Sequence, residues 1–87
     1  MNGTVSPNLP ILIIDDEPQA LDSFEMSLRS VSMNHFIRCQ DSREVIPQLQ
    51  QQEVEVVLLD LRMPFVSGED LLPRITTDFP DVPVIVI

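Results

Sequence analysis

Residues 55–68 read EVVLLDLRMPFVSG, and their interpretation decides the fold. Val56, Val57, Leu58 and Leu59 form an apolar run that Asp60 ends abruptly. Every position of the run is apolar, and its start is β-branched. A strand with water on one face would alternate, so this one is buried on both faces, as in a parallel sheet. A loop with Pro64 and Gly68 follows, and then a helical pattern. Open α/β sheets bind ligands outside the carboxyl ends of their strands, which is where Asp60 falls. On this stretch alone, Asp60 is equally a residue that starts a turn or caps a helix.

Working outward, Ile11-Leu12-Ile13-Ile14 repeats the design, ending at Asp15-Asp16. Pro18 suits the first turn of a helix, where its missing N–H costs nothing. Ala20, Leu21, Phe24, Leu28 and Val31 recur at helical spacing, so a first helix is expected over about 18–31 with these residues inward. Phe36–Cys39 is a short second strand, placed near an edge by Arg38. Asp41-Ser42 offers N-cap chemistry to a helix over about 43–52, with Val45, Ile46 and Leu49 buried and Pro47 bending it or delaying its start. The central strand covers about 54–60. Ser67 to Asp70 has the spacing of a capping box, and a third helix runs about 68–78. Leu71, Leu72, Ile75 and Phe79 face inward there, with Pro73 inside the pattern. Val84-Ile85-Val86-Ile87 begins a fourth buried strand. Residues 1–9 carry Gly3 and Pro7 without periodicity and read as a loose tail.

The order βαβαβαβ implies a parallel sheet with right-handed crossovers. At 87 residues the chain is one small domain, and 44% hydrophobic residues make it globular rather than disordered. No apolar run approaches a membrane span and no basic segment precedes a signal-like stretch, so it reads as soluble, cytoplasmic and without a membrane partner. The formal charge is −9, with five arginines and no lysine. That excludes nucleic-acid binding by this segment, since little here could neutralise phosphates. The single Cys39 cannot form an internal disulfide and reads as a small buried hydrophobe. His35, Met26 and Met33 read as ordinary surface, helix or loop residues. Phe65 is either a plain loop residue or an exposed partner contact.

If the first and third strands are neighbours, Asp15, Asp16 and Asp60 meet at one sheet edge. At about 5 Å and an effective dielectric near 20, each pair of carboxylates repels by roughly 3 kcal/mol. A hard divalent cation such as Mg²⁺ relieves this and keeps positions open for phosphate oxygens. The alternative is an acidic pair that only caps the first helix.

With these residues in view, ILIIDDEP, VVLLDLRMPFVSG and DVPVIVI resemble the receiver domain of bacterial two-component response regulators, over about residues 10–87. The resemblance implies a flavodoxin-like sheet of order 2-1-3-4. It implies Asp60 as acceptor of a phosphoryl group from a histidine kinase or phosphotransfer protein, in a signalling module and not an enzyme. It also implies Mg²⁺ held by Asp15, Asp16, Asp60 and the backbone carbonyl of Arg62, with Met63-Pro64 and Gly68 shaping the loop. The family carries a Ser or Thr after strand four and a Lys after strand five. Against that pattern, residues 10–87 read as a receiver truncated by design or proteolysis, without the fourth helix, fifth strand and fifth helix. Phosphotransfer is then expected to be slow or absent, and the unpaired outer edge of the fourth strand to drive homodimers or oligomers. Two rivals remain: an interaction module with a vestigial site, and a phosphohydrolase of the haloacid-dehalogenase type. The latter needs an acidic residue two positions after its nucleophile, where this chain has Arg62.

Overall fold

The structure, a computed structural model, describes residues 9–87. Most of the tail expected over 1–9 therefore lies outside the described residues. In chain order the elements are β1 (Ile11–Ile14), α1 (Pro18–Arg29), β2 (Phe36–Cys39), a 3-10 turn (Ser42–Glu44), α2 (Val45–Gln51), β3 (Val56–Leu59), α3 (Gly68–Asp78) and β4 (Val84–Val86). All strand pairs are parallel, and the order across the sheet is β2-β1-β3-β4. The expected flavodoxin-like arrangement is therefore present.

Successive side chains of a strand point to opposite faces, and the core divides accordingly. Leu12, Ile14, Val57 and Leu59 pack on one face with Val45, Ile46 and Leu49 of α2 and with Leu71 and Ile75 of α3. Ile11, Ile13 and Leu58 pack on the other with Leu21 of α1, and Phe24 and Leu28 lie against them. Leu12, Ile13 and Ile14 are wholly buried, each contributing about 1.5–3 kcal/mol. This double burial is why their sequence shows no alternation.

The helices begin where expected, by identifiable chemistry. Pro18 opens α1. Asp41 caps the 3-10 turn by accepting the Arg43 N–H at 2.9 Å. Ser67 caps α3 by accepting the Asp70 N–H at 3.1 Å. Pro47 has no N–H to give, and α2 starts at Val45, behind the 3-10 turn rather than at residue 43. Pro73 is accommodated inside α3.

Four expectations need correction. α1 stops at Arg29, two residues short, and Val31 is exposed rather than buried. Ser32 adopts the left-handed conformation at φ 67°, its N–H bonding the Arg29 carbonyl and that of Met33 the Leu28 carbonyl. Those are the bonds of a Schellman end, which turns Val31 out of the stripe. β3 is shorter than expected, 56–59 rather than 54–60. Leu72 and Phe79 are half-buried at the margin of the core. β4 is not buried: Ile85 is 53% and Val86 44% exposed. It pairs only with β3, at the sheet's edge. The opposite edge, β2, is bridged to α1 by Arg38, which meets Asp22 at 2.7 Å, Glu25 at 3.0 Å and the Pro18 carbonyl at 3.1 Å. No helix among the described residues is long and apolar enough to cross a membrane.

Candidate functional site

β1 and β3 are central neighbours, with Ile14 opposite Leu59. The residues that follow, Asp15 and Asp60, therefore emerge side by side at the carboxyl edge of the sheet. The ladder continues one step past the strands: the Asp60 N–H donates to the Ile14 carbonyl and the Asp15 N–H to the Cys39 carbonyl, both at 3.1 Å. This holds the two α-carbons rigidly at the sheet edge. Carboxylate oxygens of Asp15, Asp16 and Asp60 lie within 4.8 Å of one another. The juxtaposition inferred from the strand ends is therefore what the fold produces.

The three groups are not equivalent. Asp15 is buried, while Asp16 and Asp60 are more open. Burial is the main force raising the Asp15 carboxyl above its ordinary value. The Glu17 N–H, donating to Asp15 Oδ1 at 3.0 Å, opposes this, and the charges of Asp60 and Asp16 add to the rise. Asp60 Oδ1 accepts the Arg62 N–H at 3.0 Å, which sets the carboxylate's orientation. The ion pairs among the described residues lie elsewhere, at Arg29, Arg38, Arg43 and Arg74. The trio thus lacks a protein counter-charge among these residues. Oxygen donors of this number and charge fit a hard cation such as Mg²⁺, which accepts a few carboxylates and completes its shell with carbonyl oxygen and water.

The loop after Asp60 is pinned at several points. The Gly68 N–H donates to the Leu61 carbonyl at 3.0 Å, and Met63 is buried. A Cβ on Gly68 would stand 2.2 Å from the Asp60 carbonyl oxygen and 2.5 Å from Leu61 Cα. Glycine is needed for that close approach, not for its backbone angles, since the φ of Gly68 is not positive. Phe65 is 71% exposed at φ 71°, with the Arg43 guanidinium 3.8 Å from its ring centre. Arg43 is held by a two-pronged contact with Asp41, which keeps the Asp41 carboxyl below the ordinary carboxylate range. The sequence reading missed Ser42. Its buried hydroxyl donates to the Pro64 carbonyl at 2.7 Å and accepts the Val66 N–H at 3.0 Å. No local pattern announces a contact spanning more than twenty residues. His35 is exposed, and Cys39 is buried with its thiol donating to the Asp41 carbonyl at 3.2 Å.

Comparison with known proteins agrees with this geometry. Residues 11–87 match the sequence pattern of the response regulator receiver domain. The chain is 31% identical over 77 residues to the probable transcriptional regulatory protein TcrX of Mycobacterium tuberculosis, covering 88% of this chain and 32% of that protein. It is 30% identical over 78 residues to the chemotaxis protein CheY-3 of Vibrio cholerae, covering 90% of this chain and 60% of that one. It thus spans from a third to three-fifths of these relatives' lengths. Among solved structures, TrrA of Thermotoga maritima in complex with Mg²⁺–BeF superposes with a TM-score of 0.82 at 23% identity, over 90% of this chain and 67% of that one. RcsB of Salmonella enterica serovar Typhimurium, bound to promoter rprA in the presence of the phosphomimetic BeF₃⁻, superposes with a TM-score of 0.81 at 29% identity, over 91% and 68%. Fold, strand-end carboxylates and sequence pattern agree: over residues 11–87 this chain belongs to the response regulator receiver domain family.

Proposed function

We propose that this chain is a cytoplasmic phospho-accepting signalling module in which Asp60 takes a phosphoryl group from a phosphohistidine on a histidine kinase or phosphotransfer protein. The observation that carries the reading is the trio Asp15, Asp16 and Asp60, gathered within 4.8 Å at the carboxyl edge of a receiver-family sheet. The Mg²⁺–BeF complex of the related TrrA supports it.

An oxygen of Asp60 attacks phosphorus, the P–N bond to the donor imidazole breaks, and its electron pair leaves on the ring nitrogen. The product is an acyl phosphate, so the carboxylate acts as a nucleophile. The Arg62 N–H holds Oδ1, and we assign the attack to Oδ2, which takes no hydrogen bond among the described residues. Asp15, Asp16, Asp60 and the Arg62 carbonyl would hold Mg²⁺. Bound there, the ion would neutralise charge that develops on the transferring phosphoryl oxygens. Asp15, the buried member, fixes the inner wall of the site through the Glu17 N–H. Exposed Arg62 occupies the place where a haloacid-dehalogenase-type hydrolase needs an acid, which favours stable acceptance over turnover.

Incubation with Mg²⁺ and a small acyl phosphate, followed by intact mass measurement, tests the reading. One hydroxylamine-labile phosphoryl adduct, absent from Asp60→Asn, is expected. Multiple turnover would point to the hydrolase, and no adduct after prolonged incubation to a vestigial site.

The apolar outer margin of β4 carries a second proposal. Ile85, Val86 and Ile87 are 53%, 44% and 40% exposed. An apolar edge strand of this kind is a template for another chain, so the 87-residue chain pairs with a second copy along β4.

A further inference from the structure

We propose that Ser42 is a positioning residue for the acceptor site, gripping from across the sheet the loop that carries Arg62. The inference rests on the reading of Asp60 as phosphoacceptor. Ser42 opens the 3-10 turn after β2 and is 3% exposed. Its hydroxyl does two jobs at once, donating to the Pro64 carbonyl at 2.7 Å and accepting the Val66 N–H at 3.0 Å. Those backbone groups flank Phe65, whose φ of 71° is unfavourable for a residue with a Cβ and needs support from its surroundings.

The loop from Leu61 to Ser67 otherwise has its pins near its base. Gly68 N–H bonds the Leu61 carbonyl, Arg62 N–H bonds Asp60, and Met63 is buried. The tip, residues 64–66, is gripped by the segment 41–43. Ser42 holds the backbone from beneath, and Arg43, fixed by Asp41, covers the Phe65 ring. Arg62 is one of the base pins, two residues before the Pro64 carbonyl that Ser42 holds. The directions of its N–H, which orients Asp60, and of its carbonyl, assigned to the metal, depend on both ends being fixed. Groups that orient metal ligands from behind commonly cost 10–100-fold in affinity when removed.

The test compares Mg²⁺ binding by titration calorimetry, well below the unfolding midpoint, in wild type, Asp60→Asn, Ser42→Ala, Ser42→Thr and Ile75→Val. The last is a core destabilisation in α3, outside the loop itself. Amide exchange of Val66 and Arg62 in the metal-free proteins gives a readout independent of the ion. In Ser42→Ala, affinity is expected to fall about tenfold. Val66 and Arg62 should lose about tenfold in protection there, the equivalent of one buried hydrogen bond. Ser42→Thr, which keeps the hydroxyl, should restore both, and Ile75→Val should leave affinity unchanged. Unchanged affinity in Ser42→Ala, or an equal loss in Ile75→Val, overturns the proposal. If Ser42→Ala does not fold, Ser42→Cys against Ser42→Thr carries the comparison, and equal affinities overturn it. Wild-type binding that is absent, or indifferent to Asp60→Asn, instead overturns the reading of the site itself, and this proposal with it.

Discussion

Replacing Gly68 by alanine adds one methyl group at the tightest point of the site. The new Cβ would lie 2.2 Å from the Asp60 carbonyl oxygen, where ordinary contact begins near 3.4 Å. The three nearest atoms all belong to the backbone of Asp60 and Leu61, so no side-chain rotation relieves the clash. The start of α3 and the Asp60–Leu61 peptide must part by about an ångström. Overpacking of this kind costs about 1–3 kcal/mol. Parting them also stretches the Gly68–Leu61 bond at 3.0 Å, worth about 1 kcal/mol. Alanine's better helix propensity returns up to about 1 kcal/mol at this first helical position. The net loss is about 1–3 kcal/mol. For a domain of this size each kcal/mol moves Tm by about 4–8 °C, so a fall of roughly 5–20 °C is expected. Without Trp or Tyr, the transition is best followed by calorimetry or far-UV circular dichroism. The displaced peptide is that of Asp60, the proposed acceptor, so stabilisation by Mg²⁺ should shrink as well. An alanine variant as stable as wild type would refute the reasoning, because helix propensity alone would then describe the position.

Asp60→Asn removes one charge from the trio and should raise the Tm of the metal-free protein, while the stabilisation of about 1.4 kcal/mol expected from Mg²⁺ at ten times Kd should largely vanish. A Tm indifferent to millimolar Mg²⁺ in both proteins would sink this. Asp15 has its folded pKa raised, so its contribution is fully present below the ordinary aspartate value of 3.8 and is lost as pH rises through the folded value. In chelator, Asp15→Asn should therefore gain stability over wild type on going from acid to neutral pH, and a pH-independent difference would contradict the assignment. Light scattering coupled to size exclusion should show the 87-residue chain dimeric or larger and Ile85→Lys shifted towards monomer, whereas a wild-type monomer at high concentration would refute pairing along β4.

Much of the fold is written locally. Runs such as Ile11–Ile14 and Val56–Leu59 are apolar at every position, which only burial on both faces permits, and each ends at a carboxylate. That pattern by itself implies a parallel sheet with acids at one edge. Capping by Asp41 and Ser67, and the start of α2 delayed to Val45 ahead of Pro47, are legible because they depend on near neighbours in the chain.

Other features needed the tertiary structure. A fully apolar strand has the same sequence at the centre of a sheet as at its edge, so the run Val84–Val86 by itself reads as buried, and only the sheet order, which puts β4 beside β3 alone, explains its exposure. Helical spacing carried α1 through Val31, because a serine in the left-handed conformation is not a recognisable stop signal. Gly68 was legible as a loop residue, but the reason it must be glycine is the approach of the Asp60 carbonyl. The grip of Ser42 on Pro64 and Val66 left no trace in the sequence. By itself, the sequence determined which side chains could do the chemistry and which strand ends would present them. Only the tertiary structure decided how the loop behind Asp60 is held, because that depends on backbone groups brought together from distant parts of the chain, and every residue type carries the same N–H and C=O apart from proline's missing donor.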